Sequence, residues 1–321
     1  MNPQQQSAQA VQPAPVTYPS SPSASAPASA SAPASVLKPV TLPGVVPANA
    51  VSTTAPILLV ISYEKTGKST LPVSCVNFPR PGMQPLVLAA DPNGPVSCLR
   101  LGYAVPNLRF IDMPGARYWD KVRTALDRLE KHAALHDEVG VIFTDCVSTL
   151  TEKLLDDAKR WSKNPDPRAA YNDVIVQFRE YVHRLFDLNL PQVWLSWMEE
   201  PTIVEEKLAN GQKTMRKILG GPSILGRKLR AFVGGRADHI LFLEKVKYGQ
   251  VPGADPEGYI RIFHTRTYQD INAGGRFSHI LPEPCPANVG QILAAITGSG
   301  MTVTGSGMNG MNGANGAHGG A

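Results

Sequence analysis

Ile57-Leu58-Leu59-Val60-Ile61-Ser62-Tyr63-Glu64-Lys65-Thr66-Gly67-Lys68-Ser69-Thr70 is the stretch that decides the fold. Its first five residues form an unbroken apolar run, the pattern of a strand buried on both faces. The next eight match the phosphate-binding loop G-x-x-x-x-G-K-[ST] at every fixed position except the first, where Ser62 stands for glycine. Such a loop works because its backbone N–H groups point at phosphate oxygens while the following helix presents its positive end. On this reading Ser62, Tyr63, Glu64, Lys65, Thr66, Gly67, Lys68, Ser69 and Thr70 form the nucleotide cradle. Lys68 reaches the β- and γ-phosphates and Ser69 ligates magnesium, so ATP and Mg2+ are the expected cofactors. Serine can hold the first position where φ is negative, but without the freedom of glycine. Pro72 falls just inside the helix expected after the loop. The plain alternative is a lysine-bearing turn after a buried strand.

Working outward, apolar β-rich runs alternate with amphipathic stretches, the signature of an α/β domain with a mostly parallel sheet flanked by helices. Strands are expected at Pro56 to Ile61, Pro85 to Ala90, Leu108 to Ile111, Val139 to Asp145, Gln192 to Trp197 and His239 to Glu244. Tyr259 to His264 reads as an antiparallel edge strand, joined to its predecessor through the turn-rich segment Tyr248 to Gly258. Helices are expected around Trp119 to Leu129 and from Tyr171 to Leu188, where apolar residues recur at helical spacing.

Val139-Gly140-Val141-Ile142-Phe143-Thr144-Asp145 ends a buried strand on a carboxylate about 80 residues beyond the loop. That distance leaves room for an intervening strand and helix, and Asp145 is the candidate second magnesium ligand. Hydrolysis also needs a group that orients or deprotonates water. Asp91, at the end of Leu86 to Ala90, fits by position, although Asp-Pro-Asn-Gly also reads as a tight turn. Glu64 is a second candidate. Ser196 and Glu199, at the end of the strand containing Trp197, are candidate sensors of the terminal phosphate. The catalytic set is thus Lys68, Asp145, Asp91 and Glu64.

Lys207, Lys213, Arg216, Lys217, Arg227, Lys228 and Arg230 follow within one stretch that holds no Asp or Glu. A mobile basic loop there would neutralise phosphates of a DNA strand and make binding salt-dependent. A solvated helix face with a turn is the bland alternative. Arg261, Arg266 and Arg276 punctuate the end of the core. In a ring or filament, Arg266 or Arg276 could act in trans on a neighbour's terminal phosphate.

Composition sets the limits. Residues 1–52 and 298–321 are low-complexity, the first Pro/Ala/Ser-rich and the second Gly/Asn/Met-rich, and are expected to be disordered around one domain at 53–297. No run approaches the roughly 20 apolar residues of a membrane span, and the N-terminus lacks the pattern of a secretory signal. A cytoplasmic protein without a membrane partner is therefore expected. The four cysteines are widely spaced, which argues for structural thiols and against a zinc site. A formal charge of +5 is too modest to imply nucleic acid by itself.

Taken together, the loop with Lys68 and Ser69, the strand ending at Asp145, Gly-Pro-x-x-x-Gly-Arg at Gly221 to Arg227, the strand at 237 to 243 and the late arginines resemble the RecA-like P-loop ATPases of bacteriophages, including the Sak-type single-strand annealing proteins. The resemblance spans roughly residues 55 to 282. It implies a RecA-like core, ATP with magnesium, assembly of copies into a ring or filament, single-stranded DNA as partner, and a phage-infected bacterial cell as setting. The chain departs from the pattern at Ser62, at Trp197 and in both tails, whose partners the sequence does not identify. A DNA-dependent ATPase of recombination or replication is the leading expectation. The alternative is a nucleotide-binding assembly factor with little turnover, and a small-molecule kinase ranks third because no arginine-rich lid is evident.

Overall fold

A computed structural model of the protein describes residues 55–91, 93–162, 166–207, 213–247 and 258–298, all in the second of two compact units, Thr53–Ala321. The tails expected to be disordered, and the turn-rich segment before Gly258, lie outside the described residues. In chain order the elements are β1 (Ile57–Ser62), β2 (Gln84–Ala89), α1 (Gly94–Leu99), β3 (Asn107–Arg109), α2 (Tyr118–Glu130), α3 (Leu135–Glu138), β4 (Val139–Asp145), α4 (Val147–Trp161), α5 (Pro167–Asp187), β5 (Gln192–Glu199), β6 (Thr202–Lys207), β7 (Lys213–Ile218), β8 (Gly221–Pro222), α6 (Arg227–Arg236), β9 (His239–Lys247), β10 (Tyr259–His264), β11 (Gly274–Gly275), β12 (Cys285–Pro286) and α7 (Val289–Thr297). Short 3₁₀ helices occupy Lys68–Cys75 and Phe110–Asp112.

The main sheet is mixed. Its strands run in the order β12-β10-β9-β1-β5-β4-β2-β3, with the block from β9 to β3 parallel and β10 and β12 added antiparallel at one edge. Tyr259 to His264 pairs antiparallel with β9 as expected, but it is not the outermost strand, because β12 pairs with its other side. β5 lies between β1 and β4, so the strand ends carrying the loop and Asp145 flank the end of β5.

Why the parallel strands read as unbroken apolar runs is visible in how they divide their side chains. Ile57, Leu59 and Ile61 pack into one core with α2, α4, α5 and α6. Leu58 and Val60, pointing the other way, join a second core with Leu71, Cys75, Cys98 and α7. Alternate residues are thus buried on opposite faces, which is why Ile57 to Ile61 is apolar at every position. All four cysteines are buried, free thiols. No helix among the described residues is long and apolar enough to cross a membrane.

Three further expectations are corrected. Where it is described, the stretch from Lys207 to Arg230 is strand and helix rather than a mobile loop: β6 and β7 pair antiparallel from Thr202↔Ile218 to Lys207↔Lys213, β8 adds to β5, and α6 begins at Arg227. Thr202, Ile203, Val204, Thr214 and Ile218 supply β-formers to that hairpin, whose tip, 208–212, lies outside the described residues. The segment after the phosphate loop is 3₁₀ rather than α. Pro72 sits inside it and has no N–H to give to an i−4 carbonyl. Finally, β3 stops at Arg109 instead of continuing to Ile111, because Phe110 drops into the core edge-to-face against Tyr118 and Tyr181, with ring centroids 6.4 and 6.2 Å away. α4 was not among the expected helices, although Val147, Leu150, Leu154 and Ala158 mark its buried face.

Candidate functional site

β1 carries the chain to the carboxyl edge of the sheet, and the loop folds back on itself there. Ser62 is the last residue of β1, wholly buried, and does not have a positive φ. The left-handed positions are Lys65 (φ 59) and Gly67 (φ 93). The first position of the loop therefore needs no glycine, and serine brings something glycine lacks. Lys68 Nζ donates to Ser62 Oγ at 2.7 Å, to Ser62 O at 3.1 Å and to Tyr63 O at 2.8 Å. Ser62 Oγ also lies 2.6 Å from Thr66 Oγ1, whose hydroxyl is 3.0 Å from Tyr63 O. The lysine is buried and satisfied by the loop itself.

The end of β4 supplies the opposite charge. Asp145 is buried, with the Ser69 side chain close enough to favour its charged form. Burial pushes its carboxyl up to about 6, against the opposing pull of the Ser69 side chain; the nearby charge of Asp91 adds to the rise and that of Lys68 opposes it. Burial likewise lowers Lys68 to about 8, against the attraction of Cys146, Asp145 and Glu64. Gly94, at the start of α1, abuts this carboxylate: a Cβ there would collide with Asp145 Oδ2. α1 is also fastened to the loop, since Cys98 Sγ donates to Ser69 O at 3.1 Å.

Lys68 and Ser69 thus lie close enough to Asp145 to act on its charge. The hydroxyl and the carboxylate are hard oxygen donors of the kind magnesium takes, and magnesium commonly uses one or two protein groups with water and phosphate completing its shell. Among the described residues no cluster of three or more His, Cys, Asp or Glu could hold a metal by itself. The donor set therefore fits an ion shared with phosphates better than one caged by protein.

The other sequence-derived candidates fall in different places. Asp91 is beside Asp145, its N–H donating to Asp145 O at 3.2 Å, while its Oδ1 accepts from Asn93 N at 2.9 Å. The carboxyl is partly used as a turn residue. Glu64 and Lys65 are exposed on the loop. Thr70 donates its hydroxyl to Gly67 O at 2.7 Å. Ser196 is buried in a closed relay: Trp197 N–H donates to Ser148 Oγ at 3.0 Å, Ser148 and Ser196 hydroxyls lie 3.0 Å apart, and Ser196 donates to Trp197 O at 2.8 Å. Glu199 pairs with Arg230. Arg266 Nη2 donates to Ser278 O at 3.2 Å. Arg276 binds Asp238, which caps Ile57 at the opposite end of β1 from the loop.

The basic stretch divides in two. Lys213 pairs with Glu205, Lys217 with Asp270 and Arg230 with Glu199, so these charges are partly neutralised inside the protein. Arg216 is exposed on β7, and the Lys207 side chain lies outside the described residues. Arg227 and Lys228 instead line a groove of about 430 Å³ with Arg168 and Tyr171 of α5. Among the described residues none of these three cations forms an ion pair. The chain enters this groove's lining from the carboxyl side of the sheet, because β8 pairs with Met198 and Glu199 beyond the loop end of β1 and α6 starts soon after. Arg168 and Tyr171 were not singled out from sequence. Their own helix is legible, but not its approach to residues more than fifty positions later.

No protein-family model matches this sequence, and no curated protein matches it. Among solved structures, a KaiC-like protein from the hyperthermophilic archaeon Pyrococcus horikoshii OT3 is similar, with a TM-score of 0.37 and 9% identity over 69% of this chain and 83% of that one. So loose a superposition carries no argument of its own, and the architecture rests on the strand order and register above.

Proposed function

We propose that the protein binds ATP with magnesium at the loop between β1 and the 3₁₀ helix and hydrolyses it in response to single-stranded DNA. The observation that carries the nucleotide reading is the burial of Lys68, just after the loop that follows β1, and of Asp145 at the end of β4, with β5 between the two strands and Ser69 beside the carboxylate. Two opposite buried charges, one raised and one lowered by desolvation, are costly unless something uses them. Lys68 would exchange its contacts with Ser62 and Tyr63 for phosphate oxygens, and Ser69 would turn from Asp145 toward the metal. Magnesium bound there would neutralise charge on the phosphates. Asp91, next to Asp145, is the candidate to orient water, with Glu64 the second.

The DNA part of the reading is supported by Arg168, Arg227 and Lys228, which form no ion pair among the described residues, around a groove lined also by exposed Tyr171 as a surface for a base. Lys213, Arg216, Lys217, Lys207 and Arg230 add positive charge to the same stretch of sequence. In the same reading copies assemble, with Arg266 or Arg276 acting across the junction. A nucleotide-held assembly factor with little turnover is the alternative, favoured by the use of Asp91 in its own turn.

Phosphate release from ATP, measured with and without single-stranded DNA, tests this. The proposal predicts release that DNA stimulates and that Lys68→Ala abolishes. Binding without release, with or without DNA, favours the assembly factor.

A further inference from the structure

Gly67 is occupied from above by a residue that comes from far along the chain. Were it to carry a Cβ, that atom would lie 2.6 Å from Arg261 Nε, 2.7 Å from Cζ and 2.9 Å from Nη2. The same guanidinium donates from Nη1 to Thr70 Oγ1 at 3.3 Å. Arg261 stands on β10, opposite Lys245 of β9, so the antiparallel edge of the sheet delivers it to the loop. Among the described residues no carboxylate pairs with it. A guanidinium has five N–H donors in a flat fork, and among the described residues one is engaged, with Thr70. An exposed, unpaired arginine held on the phosphate loop is a charge waiting for an anion.

Its position differs from that of Lys68. Lys68 is inside, tied to Ser62 and Tyr63 and facing the Asp145 side. Arg261 lies over the later residues of the loop, Gly67 and Thr70. In loops of this kind the lysine serves the β- and γ-phosphates and the backbone N–H groups cradle the α- and β-phosphates. Resting on the phosphate-site reading above, we propose that Arg261 is a nucleotide-binding residue supplied in cis, which contacts the inner phosphates of the bound nucleotide and thereby sets affinity for the diphosphate and triphosphate alike. Gly67 is then required twice, for its left-handed backbone and for the close approach of the arginine.

Equilibrium binding of ATP, ADP and adenosine to the full chain, to Arg261→Ala, to Arg261→Lys and to Lys68→Ala tests this. A lost charge-assisted contact corresponds to about a tenfold to hundredfold weakening. Arg261→Ala is expected to weaken ATP and ADP by that factor equally and to leave adenosine unchanged, with partial recovery in Arg261→Lys. Lys68→Ala is expected to erode the preference for ATP over ADP instead. Affinities in Arg261→Ala within about twofold of the parent, or a loss confined to ATP, would overturn the inference while leaving the phosphate site standing. No nucleotide binding by the parent would overturn the site itself. If the alanine variant does not fold, the lysine variant carries the same comparison, and an unchanged ADP affinity in it refutes the role.

Discussion

Ser62→Gly restores the motif's glycine and should nevertheless destabilise the protein. Ser62 Oγ is wholly buried and lies 2.7 Å from Lys68 Nζ and 2.6 Å from Thr66 Oγ1. Deleting it takes an acceptor from a buried ammonium, a loss of about 1.5–3 kcal/mol for a hydrogen bond to a charged group. Glycine at the end of a strand adds about 0.5–1 kcal/mol of chain entropy. Ser62→Gly should thus cost about 2–4 kcal/mol and Ser62→Ala only the first part of it. For a domain of this size each kcal/mol moves the midpoint by about 2–4 °C. A fall of roughly 5–15 °C in a thermal melt without nucleotide follows for the glycine variant. Chemical denaturation of the same pair would check that the loss is in free energy and not in cooperativity. A glycine variant at least as stable as the parent would refute the account, because the hydroxyl would then not be what holds Lys68.

Asp145 is expected to trade stability for function. A carboxyl with a higher pKa folded than unfolded binds its proton more tightly in the folded chain. Its contribution therefore favours folding at low pH and is lost as pH rises through about 6. Removing the charge with Asp145→Asn should raise stability above that pH, by up to about 3 kcal/mol for a rise of roughly two units, and abolish magnesium-dependent turnover. Melts at pH 5 and pH 8 that show no widening advantage for the variant would contradict the burial argument. Gly94→Ala should displace the Asp145 carboxylate it would strike, lowering turnover at limiting magnesium with partial rescue at high magnesium; unchanged magnesium dependence would mean that α1 yields instead. For DNA, neutralising Arg168, Arg227 and Lys228 together should flatten the salt dependence of single-strand binding by about two in slope. Neutralising Lys213, Lys217 and Arg230, already paired, should do less. Equal slopes for both triples in fluorescence anisotropy would deny the groove its role.

The core of this fold is legible in sequence because its strands are buried on both faces. β1, β4, β5 and β9 each announce themselves as apolar runs. The hairpin β6–β7 is not legible in the same way: the described side chains of both strands are exposed, so no burial pattern marks them. The loop after β1 announces Lys68 and Ser69, while the position of Ser62 in the hydrogen-bond network does not, since the motif treats it as a defect. Arg261 and Thr70 lie 191 residues apart. Only the antiparallel return of β10 brings the arginine over Gly67, and no local pattern encodes that approach. Arg168 and Tyr171 join Arg227 for a similar reason, through the packing of two helices.

Calorimetric titration of ATP with magnesium into the full chain and into Lys68→Ala tests the central claim most directly. The account predicts saturable, magnesium-dependent binding by the parent and clearly weaker ATP binding by the variant, with both folded. Heats in the parent no larger than dilution, or equal binding by the two proteins, would contradict it.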